Sequence, residues 1–171
     1  LPVAHMYGLA FEFLYEFCYG CHIYFLPRMP SPKIILQAFA EVKPKLVIAV
    51  PLIIEKIVKK NVLPKLETPT MKFLMKVPLL NDKIKAKVRE QMMAAFGGEF
   101  YQIIVGGAAF NQEIESFLRS INFPYTVGYG MTECGPIISY EDWVDFKAGS
   151  CGKSAPRMET KILSVDPQNV P

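Results

Sequence analysis

Tyr101-Gln-Ile-Ile-Val-Gly-Gly-Ala-Ala-Phe-Asn111 is the stretch on which the fold turns. Tyr101 to Val105 is an apolar run of strand length. Gly106-Gly107 turns the chain, and Asn111 has a side chain that caps a helix. Ile114, Phe117 and Leu118 then recur at helical spacing.

The same alternation extends in both directions. Downstream, Pro124-Tyr-Thr-Val127 leads into another strand. Upstream, Leu46-Val-Ile-Ala-Val50 is continuously apolar, as expected for a parallel strand covered on both faces. Pro51 opens a helix with Ile54, Ile57 and Val58 inward and Lys56, Lys59 and Lys60 outward. Residues 61–80 read as irregular, with a short helix around 71–76. Asn81 is expected to cap a longer helix carrying Ile84, Val88, Met92 and Ala95, which stops at Gly97-Gly98. Ser31-Pro32 starts another helix, with Ile34, Ile35, Ala38 and Phe39 on its apolar face and Pro44 as its breaker. Residues 6–19 read as a buried aromatic helix, followed by a short strand Ile23-Tyr-Phe-Leu26 ended by Pro27.

Four strands alternating with helices predict an α/β fold, a mostly parallel sheet flanked by helices. After Glu141 the pattern changes, and residues 149–166 read as β-structure. The expected division is an α/β subdomain over 1–148 and the beginning of a β-rich subdomain over 149–171. In open α/β sheets ligands bind beyond the carboxyl ends of the strands, where the glycine turns at 106–107 and 128–130 both fall.

Hydrophobic residues make up 51% of the 171-residue chain and charged residues 20%, which excludes intrinsic disorder and allows one ordinary core. The apolar amino-terminal stretch lacks the basic start and small-residue cleavage site of a secretory signal. Glu12 and Glu16 argue against a transmembrane helix, since each would cost roughly 2.5–3.5 kcal/mol near a bilayer centre. Cys18, Cys21, Cys134 and Cys151 form no dense disulfide framework, so a reducing cytoplasm is the expected location. Net charge is +3, but residues 43–89 hold twelve basic side chains against three acidic ones. That run reads as a solvated face, with peripheral contact at the inner face of a membrane or coenzyme phosphates as the functional alternatives. No aromatic interleaving suggests nucleic-acid stacking.

Val127-Gly-Tyr-Gly-Met-Thr-Glu-Cys-Gly-Pro136 concentrates the chemistry. Gly128 and Gly130 let backbone approach a ligand closely. Tyr129 offers a flat face for a purine, and Thr132 a hydroxyl for a phosphate oxygen. Glu133 supplies the hard oxygen that suits Mg²⁺, which binds through one or two carboxylates plus substrate phosphates. The bland alternative is a glycine-rich connector.

Tyr129-Gly-Met-Thr-Glu133 resembles the aromatic-Gly-x-Thr-Glu signature of adenylate-forming enzymes, among them the acyl-CoA synthetases. Leu1-Pro-Val-Ala-His-Met-Tyr-Gly8 is similar to the family's Leu-Pro-x-x-His-x-x-Gly segment. Val50-Pro-Leu-Ile-Ile-Glu-Lys-Ile57 resembles a pattern of long-chain members, with Leu52 where those often carry Arg. Gly106-Gly-Ala-Ala109 is similar to the Gly-Gly-Ala-Pro turn, and Gly149-Ser-Cys-Gly-Lys153 to the Gly-Ser-x-Gly-Lys that follows it. The resemblance implies a long-chain fatty acid–CoA ligase using ATP, Mg²⁺ and coenzyme A, with a ligase for an aromatic or short-chain acid as the alternative. It implies catalytic roles for Thr132, Glu133 and His5, with Glu133 as the Mg²⁺ ligand. Gly107, Ala108, Tyr129, Gly130, Met131 and Thr132 are implied to contact ATP or AMP. The family's phosphate loop would precede residue 1 and its catalytic-lysine domain would follow residue 171, so the chain alone is expected to be inactive. A non-enzymatic alternative is a lipid- or membrane-binding module using the basic run.

Three rival readings use the same residues. Cys18-Tyr-Gly-Cys21-His22 matches a haem-attachment pattern, but it lies where an aromatic helix meets an apolar run, with no export signal before it. Gly128-x-Gly130 departs from a dinucleotide fingerprint because Glu133 occupies the third glycine position. His5 alone would read as a structural histidine, and Cys134 as packing.

Overall fold

The computed structural model describes residues 2–26 and 31–161. Leu1, Pro27 and the β-structure expected from residue 162 to 166 lie outside the described residues. The element order is α1 (Met6–Leu9), a π turn (Ala10–Leu14), α2 (Tyr15–Cys18), α3 (Pro32–Val42), β1 (Leu46–Ala49) and α4 (Pro51–Ile57). A second π turn (Val58–Val62), α5 (Leu63–Leu66), α6 (Pro69–Leu74), α7 (Pro78–Ala95), β2 (Gln102–Val105), α8 (Gln112–Ser120) and β3 (Tyr125–Val127) follow. The last described elements are β4 (Tyr129–Gly130), a 3-10 turn (Thr132–Cys134), β5 (Ile137–Tyr140) and β6 (Lys153–Ser154).

β1, β2 and β3 form a parallel sheet in that order. Leu46 pairs with Gln102, and Ile103 with Tyr125. Side chains alternate across a strand, so Val47, Ala49, Ile103, Val105, Tyr125 and Val127 share one face. They join a single buried cluster with Ile54 and Ile57 of α4, Met92 of α7, and Ile114 and Leu118 of α8. Phe96, wholly buried, contacts the rings of Phe39, Phe100 and Phe123 and ties α3 and α7 to the sheet. The opposite face presents Leu46, Ile48, Gln102, Ile104 and Thr126, and it is this face that meets the cavity described below.

The helix starts follow their local chemistry. Ser31 Oγ accepts from the Ile34 N–H at 3.3 Å, and Asn111 Oδ1 accepts from Glu113 and Ile114 N–H at 3.0 and 3.1 Å.

Four expectations need correction. Asn81 does not cap α7: the helix begins a turn earlier at Pro78, whose fixed φ favours a helix start, and Val77 is the cap. Residues 23–26 form no strand; no ladder partner faces them among the described residues, and Tyr24, Phe25 and Leu26 are exposed. The helix over residues 6–18 is not buried: Gly8 is its one buried residue, and Leu14, Tyr15 and Phe17 are exposed. Its Tyr7, Phe11 and Tyr15 side lines the cavity described below, and Phe13 contacts the ring of Phe25. Residues 63–66, expected to be irregular, are a short helix, and the short helix expected around 71–76 stands at 69–74.

β4, β5 and β6 form a small antiparallel sheet that begins at Tyr129, ahead of the expected change at 149. It is fastened to the parallel sheet through side chains. Thr126 Oγ1, fully buried, donates to the Glu141 carbonyl at 2.8 Å. Gln102 Oε1 accepts from the Trp143 N–H at 3.2 Å, while its Nε2 donates to the Tyr140 hydroxyl. Glu115, a buried residue of α8, accepts through Oε1 from the Gly149 N–H at 3.1 Å. Tyr125 packs edge-on against Phe110 and Phe146.

Within the small sheet Gly130 runs against β5 so closely that a Cβ would stand 1.9 Å from the Pro136 carbonyl oxygen. Gly130→Ala should therefore push β5 away and lower unfolding free energy by about 3 kcal/mol, read by chemical denaturation. Ile114→Ala should cost about 2–5 kcal/mol through the cavity it leaves, without altering the spectroscopic signature of the folded state.

Candidate active site

A slot of about 330 Å³ lies over the outer face of the parallel sheet. Its floor is Leu46, Ile48, Gln102 and Ile104, the residues that strand alternation turns away from the core. One wall is the helix over residues 6–18, which presents Tyr7, Phe11 and Tyr15 at four-residue spacing. The π turn between α1 and α2 lies along this wall, and such turns recur at functional sites. The other wall is Pro136, Ile137 and Tyr140 from the small sheet. The upper end is closed by backbone-rich turns at Gly106, Gly107, Gly128 and Gly130. Strand rise from Gln102 to Gly106 gives the slot a length of about 13 Å. Helical rise from Tyr7 to Tyr15 gives about 12 Å.

Tyr7 and the glycine turn meet at the upper end. A Cβ on Gly106 would lie 2.9 Å from the Tyr7 hydroxyl oxygen, so only glycine leaves the phenol its place. Burial, and then the Glu12 charge, push the Tyr7 hydroxyl above the usual tyrosine range, which keeps it protonated. His5 caps α1: its Nδ1 accepts from the Tyr7 N–H at 3.1 Å. A lone pair at Nδ1 places the proton of the neutral ring on Nε2, the nitrogen left for a ligand.

The chemistry-bearing turn follows β4. Met131 N–H donates to the Pro136 carbonyl at 2.8 Å, and the Cys134 N–H to the Met131 carbonyl at 3.0 Å. These bonds fold residues 131–136 into a tight loop that holds Thr132 and Glu133 outward; both are exposed. Tyr129 is 53% exposed, leaving a ring face open to a planar partner.

His5, Gly107, Tyr129, Gly130, Met131 and Thr132 thus line one cavity. Ala108 and Glu133 stand beside it, Ala108 on the 106–109 turn and Glu133 next to Thr132, without lining it. Among the described residues no group of three or more His, Cys, Asp or Glu could hold a metal ion. That includes the Cys18, Cys21 and His22 group, whose cysteines are free thiols. A lone exposed carboxylate fits Mg²⁺ arriving with phosphates, because that ion keeps waters and needs few protein oxygens. Sequence reasoning missed Tyr7, Gln102 and Tyr140. Gln102 carried a signal, as a polar residue inside an apolar strand run. Tyr7 and Tyr140 carried none beyond their aromaticity.

Lys43 and Lys45 pair with Glu99 at 3.4 and 2.7 Å and hold its carboxyl below the usual range, Lys45 first. Among the described residues no helix is long and apolar enough to cross a membrane.

The family model described as AMP-binding enzyme matches residues 1–171. Long-chain-fatty-acid–CoA ligase 2 of Schizosaccharomyces pombe is 29% identical, across 96% of this chain and 27% of that protein. 4-Coumarate–CoA ligase 1 of Glycine max is 39% identical over 37% of this chain and 23% of that protein. Among solved structures, O-succinylbenzoate coenzyme A synthetase of Bacillus subtilis, in complex with ATP and magnesium ion, superposes with a TM-score of 0.60. It shares 19% identity and covers 90% of this chain and 26% of that one, which establishes the shared fold. The chain spans about a quarter of the length of these relatives. A match along the whole chain, with the α/β fold to support it, places this chain in the AMP-binding enzyme family.

Proposed function

We propose that the protein carrying this chain is an AMP-forming carboxylic acid–CoA ligase, and that the slot with its glycine turns is the meeting place of acid and ATP. The observation that supports this reading is the convergence of three separate segments on one cavity, bringing together His5, Gly107 and the run Tyr129, Gly130, Met131 and Thr132. Tyr129 stacks on adenine with its open face. The backbone at Gly107, Ala108, Gly130 and Met131 approaches the nucleotide. Thr132 donates its hydroxyl to a phosphate oxygen. Glu133 is the residue to hold Mg²⁺, which when bound offsets phosphate charge.

The reaction proceeds in two displacements. A carboxylate oxygen attacks the α-phosphorus of ATP; the new O–P bond forms as the bond to pyrophosphate breaks. The coenzyme A thiol, losing its proton to solvent, then attacks the acyl carbon. A C–S bond forms and the C–O bond to AMP breaks. A free carboxylate cannot expel oxide, whereas the adenylate expels AMP readily. The protein contributes alignment and charge stabilisation. His5 lines the same slot as Thr132, with Nε2 free of the capping bond, and orients the reacting carboxylate.

The acid's body lies along the apolar floor. A long-chain fatty acid is the first candidate, on the strength of the slot's aliphatic floor and the activity named for the fungal relative. An aromatic acid is the second, favoured by the wall of Tyr7, Phe11 and Tyr15 and by the coumarate ligase likeness.

Two substitutions in the full-length protein separate the roles. Tyr129→Ala should weaken ATP binding by about tenfold, the value of one stacking contact, measured by isothermal titration. Glu133→Gln should leave that affinity nearly intact and slow acid-dependent pyrophosphate–ATP exchange by about 10²-fold. Unchanged exchange in Glu133→Gln would remove the metal role.

A further inference from the structure

The lower end of the slot, remote from the glycine turns, holds one polar pair. Gln102 is 5% exposed, and both ends of its amide are engaged. A backbone N–H can only donate, so the Trp143 N–H fixes the atom facing it as Oε1. Nε2 therefore faces Tyr140 and donates to its hydroxyl oxygen. With the oxygen accepting, the Tyr140 O–H proton must point elsewhere. Among the described residues no acceptor receives it. Leu46 and Ile48 of the slot's floor cannot accept, and the Tyr15 hydroxyl on the helix wall, close enough to act on Tyr140 electrostatically, makes no hydrogen bond with it.

The hydroxyl is a donor at neutral pH. Burial pushes it above the ordinary tyrosine range, and the nearby charges of Asp142 and Glu141 act in the same direction. An unmatched donor in an apolar slot loses its hydrogen bond with water when a hydrocarbon occupies the site. A ligand carrying an acceptor there restores it. Sites built this way discriminate strongly against analogues lacking the polar atom.

We propose that Tyr140, held in place by Gln102, is a specificity-determining residue whose hydroxyl donates to an oxygen at the end of the acid remote from its carboxylate. This rests on the slot being the acid site. The preferred substrate is then a carboxylic acid with a hydroxyl, alkoxy or keto oxygen on the order of 10 Å from the carboxylate, set by the strand rise between Gly106 and Gln102. Hydroxylated aromatic acids and oxygenated fatty acids both supply that group.

The test is a matched-pair affinity measurement on the full-length protein with MgATP present. One pair is para-hydroxycinnamic against cinnamic acid; the other is an ω-hydroxylated medium-chain fatty acid against its unsubstituted parent. The oxygenated member of at least one pair should bind about tenfold more tightly, and the responding pair identifies the source. In Tyr140→Phe, folded but with a lower melting temperature because Gln102 Nε2 loses its acceptor, that ratio should fall to about one, through weaker binding of the oxygenated acid and equal or tighter binding of the unsubstituted one. Tyr101→Phe, whose hydroxyl bonds Asp142 outside the slot, should keep the ratio. Equal affinities within both pairs in the unsubstituted protein, or a ratio that survives Tyr140→Phe, would overturn the proposal. ATP binding without binding of any of the four acids would also overturn it, while leaving the nucleotide site standing.

Discussion

A buried amide holds two sheets together. Gln102 starts the central strand of the parallel sheet, yet both ends of its side chain engage residues that follow or end β5 of the antiparallel one. With the Thr126 hydroxyl on the Glu141 carbonyl, it fixes the small sheet at one distance above the large one. The slot is the space left between them. Breaking such a buried contact costs the desolvation of whatever partner remains, so the arrangement resists drift. The glycine turns, Tyr129 and Thr132 inherit their positions from this clamp.

The two faces of the parallel sheet divide the labour. Val47, Ile103, Val105 and Tyr125 bury themselves against α4, α7 and α8 and supply the stability of the core. Leu46, Ile48 and Ile104, one residue out of phase, offer an apolar floor to a ligand. Strand alternation alone produces this separation, so mutations that destabilise the core and mutations that alter the cavity fall on neighbouring residues. The helix over residues 6–18 sits on the ligand side, which explains why its composition is apolar although much of it is exposed.

Much of the fold was legible in the sequence because its signals are local. Ser31 and Asn111 are side-chain caps, Gly97-Gly98 ends a helix, and the runs at 46–50 and 101–105 have strand length. Failures arose where a non-local partner decides. Ile23 to Leu26 has strand composition, but a strand exists only when another backbone pairs with it. Pro78 overrode Asn81 because φ at a helix start is set by the ring before a side chain can cap. The turn at 129–133 was legible as chemistry, through an aromatic, a hydroxyl and a carboxylate in five residues. The slot beneath it was not, because Tyr7, Gln102 and Tyr140 are far apart in sequence and meet only through the sheet register. The fit of a Tyr7 phenol against Gly106 carries no sequence pattern at all.

On this reading the turns at 106–109 and 129–133 together cradle ATP over the slot. Photo-crosslinking with 8-azido-ATP and Mg²⁺, followed by mapping of the labelled peptide, tests it most directly. Label confined to those two turns, and lost when excess ATP is added, is the predicted outcome. Label on the basic face of α7, or label that excess ATP fails to displace, would contradict it.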